Sequence, residues 1–290
     1  MKYALFLGCT IPVRALNYEI STRKVSEKLG IQLVDINDFS CCGFPVKSLD
    51  AEGSLLMAAR NLAIAEEKNL DVCTLCNACT EVLTEANNEL KKDEKLRERI
   101  NKKLSSIGRK YEGKIQVKHF ARILYEDVGL SKIKEKIKVN LSKFSFAAHY
   151  GCHYVKPSGI YDKFDDPENP KTLDELIEVT GAKSVSYEGK NLCCGGGVLG
   201  IQENTALKIT KLKFDYLKDV SQNGMVLICP FCDIMYEGSQ KKIERESQVK
   251  YNIPVLYYPQ LLGLALGIPP EELGFKLNRI KPKQLLAELG

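Results

Sequence analysis

Cys41-Cys42-Gly43-Phe44-Pro45 and Cys193-Cys194-Gly195-Gly196-Gly197 are two copies of one signature, adjacent cysteines meeting a glycine. Each copy has a lone cysteine upstream (Cys9, Cys152) and a C-x-x-C downstream (Cys76/Cys79, Cys229/Cys232). The intervening gaps are 31, 33 and 2 residues in the first set and 40, 34 and 2 in the second. Five thiols at a repeated spacing, twice over, point to a metal centre in each half. The remainder of the chain reads as the scaffold that gathers ten sulfurs.

Working outward, each cysteine segment follows a strand-like run. Lys2–Gly8 is continuously apolar and leads to Cys9, as in a strand buried on both faces. A helix over Arg14–Leu29 stops at Gly30, and a strand over 31–36 precedes Cys41. Asp50 caps a helix reaching Lys68, a strand over Leu70–Leu75 leads to Cys76, and a helix follows. That helix continues, or is joined by another, through Ile107, and a fourth strand is expected at 115–117. The second half repeats the order: Phe144–Tyr150 before Cys152, a helix over 173–180, Ser184–Tyr187 before Cys193, a helix over 201–218, Met225–Ile228 before Cys229, and Ile253–Leu256. An internal repeat of this length defines the architecture. Alternating strands and helices give an α/β fold of two pseudo-symmetric Rossmann-like halves with parallel sheets, residues 1–140 and 141–290. The boundary is expected in the Lys-rich stretch 131–142. Ligands of such sheets gather beyond the carboxyl ends of the strands, so three segments of each half converge on one edge.

With 290 residues, 44% hydrophobic and 27% charged, the composition is that of a globular protein with room for two cores. No apolar run spans a bilayer, and Met1–Phe6 runs into a strand without a cleavage pattern, so a cytoplasmic location is expected. Thiols stay reduced there, which favours metal or redox chemistry over disulfides. The net charge of +5 is dispersed, with no aromatic-interleaved basic patch for nucleic acid.

Two fives leave one of eleven cysteines over. Pairing Cys76 with Cys79 keeps the gap after the Cys-Cys-Gly signature nearly equal in both halves, which leaves Cys73 as a strand residue; Cys73/Cys76 is the alternative. The bacterial ferredoxin run fails because position 83 is Leu. A thioredoxin-type dithiol leaves Cys9 and the Cys-Cys-Gly pairs unexplained. Zinc remains the alternative to iron–sulfur, although it needs four ligands where each half offers five.

These residues carry a resemblance. The doubled C…C-C-G…C-x-x-C pattern resembles the cysteine-rich CCG domain. Cys76-Asn77-Ala78-Cys79, His149-Tyr150-Gly151-Cys152-His153-Tyr154 and Asn191-Leu192-Cys193-Cys194-Gly195-Gly196-Gly197 look like the B-subunit family of CoB–CoM heterodisulfide reductases, enzymes of the last steps of methanogenesis. The resemblance implies an oxidoreductase that reduces the CoM-S-S-CoB disulfide to two thiols. It implies two non-cubane 4Fe-4S clusters, one held by Cys9, Cys41, Cys42, Cys76 and Cys79, the other by Cys152, Cys193, Cys194, Cys229 and Cys232. Implied partners are the iron–sulfur C subunit of such a reductase, its flavin-bearing A subunit, and a hydrogenase or formate dehydrogenase upstream. CCG proteins of lactate, glycerol-3-phosphate and succinate or fumarate systems make an electron-transfer subunit the other reading.

His149 and His153 bracket Cys152, and Lys47, Lys156 and Arg14 each follow a cysteine segment. All five are candidates for binding an anionic part of a substrate, and a histidine there can donate a proton to a leaving thiolate. The alternative for the histidines is a hydrogen bond to a sulfur or a carbonyl. His119 has Tyr257 at its repeat position and is read as structural.

Overall fold

The computed structural model describes residues 1–289. Its first half runs β1 (Lys2–Phe6), α1 (Ile11–Arg14), α2 (Leu16–Leu29), β2 (Gln32–Asp35), α3 (Ala51–Glu67), β3 (Asp71–Thr74), α4 (Asn77–Lys92), α5 (Glu94–Leu104), β4 (Val117–His119), α6 (Phe120–Arg122) and α7 (Leu130–Lys136). The second runs β5 (Ser145–His149), α8 (Thr172–Glu178), β6 (Lys183–Ser184), α9 (Glu203–Lys218), β7 (Gly224–Leu227), α10 (Pro230–Asp233), α11 (Gln240–Ser247), β8 (Val255–Tyr257), α12 (Tyr258–Ala265) and α13 (Lys283–Leu289).

The two sheets are parallel throughout and share one topology, β2-β1-β3-β4 and β6-β5-β7-β8. Register repeats as well. Tyr3 pairs with Asp71 as Phe146 pairs with Gly224, and Phe6 with Thr74 as His149 with Leu227. In each sheet the chain order reverses beside the first strand, which places the switch point at Cys9 and Cys152. The central strands are buried almost end to end, as a sheet covered on both faces requires.

Local chemistry explains the boundaries. Asp50 accepts from Gly53 N at 2.8 Å to start α3, and Asp93 accepts from Leu96 N at 3.0 Å to separate α5 from α4, each cap worth about 1 kcal/mol. Gly30 ends α2 in the left-handed conformation at φ 73°. Several expectations need correction. The helix expected over 14–29 breaks at Ala15 (φ −137°, ψ 42°), so Arg14 closes a separate short helix. The fourth strand lies at 117–119, two residues later than expected, because Val72, Cys73 and Thr74 take partners there. Part of the Lys-rich boundary stretch is helical, within α7, where Ile133 anchors it by burial.

The halves pack with their cysteine-bearing edges together. Helix α2 lies on α12, where the Tyr18 and Tyr257 rings stack at 4.0 Å. The Tyr18 hydroxyl (3.1 Å) and the His119 Nε2–H (3.0 Å) both donate to the carbonyl of Ile228, just before Cys229. Asn77 Nδ2 donates to Tyr150 O at 2.6 Å, just before Gly151 and Cys152. Among the described residues, no helix is long and apolar enough to cross a membrane.

Candidate metal centre

Parallel strands end at one edge, and the two edges face each other. The thiols therefore form a succession of sulfur neighbours that runs through both halves. Cys41 adjoins Cys42, which adjoins Cys79 and then Cys76. Cys76 meets Cys229 across the boundary, followed by Cys232, Cys194, Cys193 and Cys152. Cys9 lines a cavity with Cys42, Cys76 and Cys79. Cys73, by contrast, lies within β3, fully buried, and burial alone pushes its thiol pKa far up.

Contact between thiols polarises the succession. The hydrogen bond from Cys79 lowers Cys42 to about 7, and that from Cys152 lowers Cys193 to about 2. Cys229 is held well below the usual thiol value by Cys232 and Cys76. The donors Cys79, Cys152 and Cys232 move upward in return. Thiolate is the ligating form, and contact among the thiols favours it in both sets.

The Cys-Cys-Gly signature adds backbone donors. Gly43 N–H points to Cys41 Sγ at 3.5 Å, Gly195 N–H to Cys193 Sγ at 3.3 Å and Gly196 N–H to Cys194 Sγ at 3.3 Å. Gly43 (φ 100°) and Gly195 (φ 88°) adopt the left-handed conformation. A Cβ there would stand 2.8 Å from Ser54 O and 2.7 Å from Ala206 O, so both positions need glycine for conformation and for space. Each C-x-x-C begins at the N-cap of a helix, Cys76 on α4 and Cys229 on α10, where the helix dipole favours negative charge.

The donor set fits an iron–sulfur group in each half. Every convergent ligand is sulfur, backbone N–H groups aim at those sulfurs, and a buried imidazole atom, His149 Nε2, has no protein partner.

A cysteine-rich domain, the CCG domain, matches residues 3–84 and 146–237. The chain belongs to the CCG family. The CCG chain is 38% identical to the B subunit of the ferredoxin:CoB-CoM heterodisulfide reductase of Methanosarcina mazei, over 99% of its own length and 97% of that protein. It is 33% identical to the 8-methylmenaquinol:fumarate reductase membrane anchor subunit of Wolinella succinogenes, over 98% and 99%. Among solved structures, a hypothetical protein from Helicobacter pylori shares the fold, with a TM-score of 0.74 and 17% identity. That match covers 97% of this chain and 52% of the other.

Three cavities surround the sulfurs of the CCG chain. One of about 10 Å³ touches Cys9, Cys42, Cys76 and Cys79. A second, of about 80 Å³, touches Cys152, Cys193, Cys194, Cys229 and Cys232 together with His153. Phe44 and Phe231 wall both, their rings 6.3 Å apart. The third is an open cleft of about 320 Å³ between the halves, lined by Cys9, Thr10, Arg14, Gly196, Leu199 and Ile234 among others.

Of the five polar candidates, two face these spaces. Arg14 is exposed in the cleft, and His153 lines the second cavity with its ring edge against Phe44 at 5.1 Å. Lys47 is held by Glu81 (2.6 Å) and Glu85 on α4, and Glu81 also lies 3.6 Å from His153. Burial pushes the Glu81 carboxyl up, but the nearby His153 and the hydrogen bond from Lys47 prevail and hold it below its ordinary value. Lys156 pairs with Glu168 at 3.0 Å on the surface. His149 is buried, with Nδ1 3.2 Å from the ammonium of Lys213, and lines none of the three cavities. Sequence reasoning overlooked Lys213. Its signal was present: it interrupts the apolar stripe Ala206, Phe214 and Leu217 that α9 turns inward.

Proposed function

We propose that the chain is the catalytic subunit that reduces the CoM-S-S-CoB heterodisulfide to two thiols, a two-electron, two-proton step. Each quintet of cysteines would hold a non-cubane 4Fe-4S cluster. When bound, such clusters supply electrons singly and an electrophilic iron for each sulfur of a disulfide.

The observation that carries this reading is the open cleft between the halves. It touches Cys9 of the first quintet and, in the second half, Gly196, whose N–H donates to Cys194 Sγ, which supports entry of a small molecule between the two sets. A module that only passes electrons has no need of such access. Phe44 and Phe231 provide apolar walls for a thioether-like chain, the Arg14 guanidinium is placed to receive a sulfonate, carboxylate or phosphate, and His153 is placed to protonate a departing thiolate. The reading also rests on relatives that are named as subunits of larger reductases. The partners it calls for are an iron–sulfur C subunit, a flavin-bearing A subunit, and a hydrogenase or formate dehydrogenase that feeds them.

A second reading, an electron-transfer subunit of a fumarate-type or other CCG redox complex, is favoured by the similarity to the Wolinella protein. Anaerobic iron and acid-labile sulfide counts, followed by turnover of CoM-S-S-CoB with a reduced dye, separate the two. Full loading with turnover supports the enzyme, and full loading without turnover supports the electron-transfer subunit. Zinc without sulfide defeats both. Capture of a mixed disulfide between substrate and a protein cysteine would replace this chemistry with thiol exchange.

A further inference from the structure

Lys213 is the one buried lysine or arginine among the described residues, and no carboxylate pairs with it there. Its ammonium donates to the carbonyl of Lys190 at 2.7 Å and faces His149 Nδ1 at 3.2 Å, with the Tyr187 ring 5.5 Å away. Donation to Nδ1 fixes the His149 tautomer with its proton on Nε2, the atom that finds no protein partner. Burial pushes the lysine down to about 7, whereas Cys232, Cys194 and Cys193 pull it upward, and His149 helps lower Cys193. A buried ammonium without a counter-ion is costly unless negative charge lies close by. The negative charge acting on it most strongly is that of Cys232, Cys194 and Cys193 of the second quintet.

The first half has nothing similar. Helices α3 and α9 abut Gly43 and Gly195 through Ser54 and Ala206, so Lys213 falls where Asn61 stands. Strand register sets His149 at the place of Phe6. Asn61 spends its amide on Ser40 N and Cys41 O.

We infer that Lys213, acting through His149, is a positioning residue that favours reduction of the group held by the second quintet over the group held by the first, which rests on the iron–sulfur part of the proposed function. Each electron taken up adds one negative charge to the group, and the ammonium and the Nε2–H attract that charge. The halves then differ in the order in which they fill.

The test is a redox titration of the anaerobically purified chain, followed by electron paramagnetic resonance, with iron and sulfide counted on the same samples. In Lys213→Met, the reduced-to-oxidised ratio of the second group at fixed potential should fall about tenfold, about 59 mV for one electron, with the first unmoved. Lys213→Arg should restore the difference, and His149→Phe should reproduce part of the loss. If Lys213→Met loses the second group's iron while Lys213→Arg keeps it at the original potential, charge is again the requirement. Loss of iron in both variants, equal shifts of both groups, or full loading with unmoved potentials overturns the inference. Failure of the unsubstituted chain to hold iron and sulfide removes the iron–sulfur reading and this inference together.

Discussion

Matched through the repeat, the halves agree in backbone and cysteines and diverge in the polar groups around them. Phe6 and Asn61 of the first half stand where His149 and Lys213 stand in the second. Thr80 and Thr84, four and eight residues after Cys76, correspond to Asp233 and Glu237 after Cys229. All four residues of the second set are buried. On the other flank the roles invert. Lys47, Glu81 and Glu85 close the first half over His153, whereas their counterparts Leu199, Ile234 and Gly238 line open cavities beside Arg14. The repeat gives each half the same pattern of five cysteines. Divergence of their surroundings closed one doorway with ion pairs and left the other open beside Arg14, and it placed a buried lysine in the second half.

The ligands test whether the two sets are equal. Cys42→Ser and Cys194→Ser should each remove about half of the bound iron and lower disulfide turnover by about a hundredfold or more. Turnover surviving either change would mean that one half works alone. Next come the paired glycines. Gly43→Ala and Gly195→Ala both force a side chain into a left-handed backbone against a carbonyl, and each should destabilise the chain by about 2 kcal/mol or more in denaturant unfolding. A large difference between them would show that one loop can yield.

Smaller effects separate the doorways. Arg14→Ala should raise KM for an anionic disulfide about tenfold with kcat nearly unchanged, because the group binds substrate and transition state alike. Lys47→Ala should leave KM in place and lower stability by about 1–3 kcal/mol, since it strands the buried Glu81 carboxylate. The weakest signal is a pH slope. Burial raises Glu237 from its ordinary 4.5 to about 7, so the protonated form is favoured in the folded chain. Its contribution is complete below the unfolded value and is lost as pH rises through the folded one. Unfolding free energy should fall between these two values, and Glu237→Gln should flatten that slope; an unchanged slope assigns it to another group.

Much of this was legible in the chain itself. The cysteine spacing announced the repeat, and the apolar runs before each cysteine announced parallel strands, because a strand covered on both faces has no polar face to show. Asp50 at the start of α3 and Gly30 at the end of α2 act within a few residues and were readable for that reason. The break at Ala15 and the later start of β4 were not, since strand limits follow from pairing with distant partners such as Val72. Likewise His149, a neighbour of Cys152 in sequence, lines none of the cavities and sets its Nδ1 beside Lys213 of α9, a contact between distant segments.

Sequence alone determined that two sets of five thiols lie at the carboxyl edges of two similar sheets, because alternation, spacing and the parallel-sheet rule act through local order. Only the tertiary structure decided that Cys76 meets Cys229, that Arg14 faces an open cleft while Lys47 is locked, and that a lone buried ammonium stands behind the second set. Those outcomes depend on how two surfaces from distant parts of the chain pack and exclude water, and no pattern within either half records it.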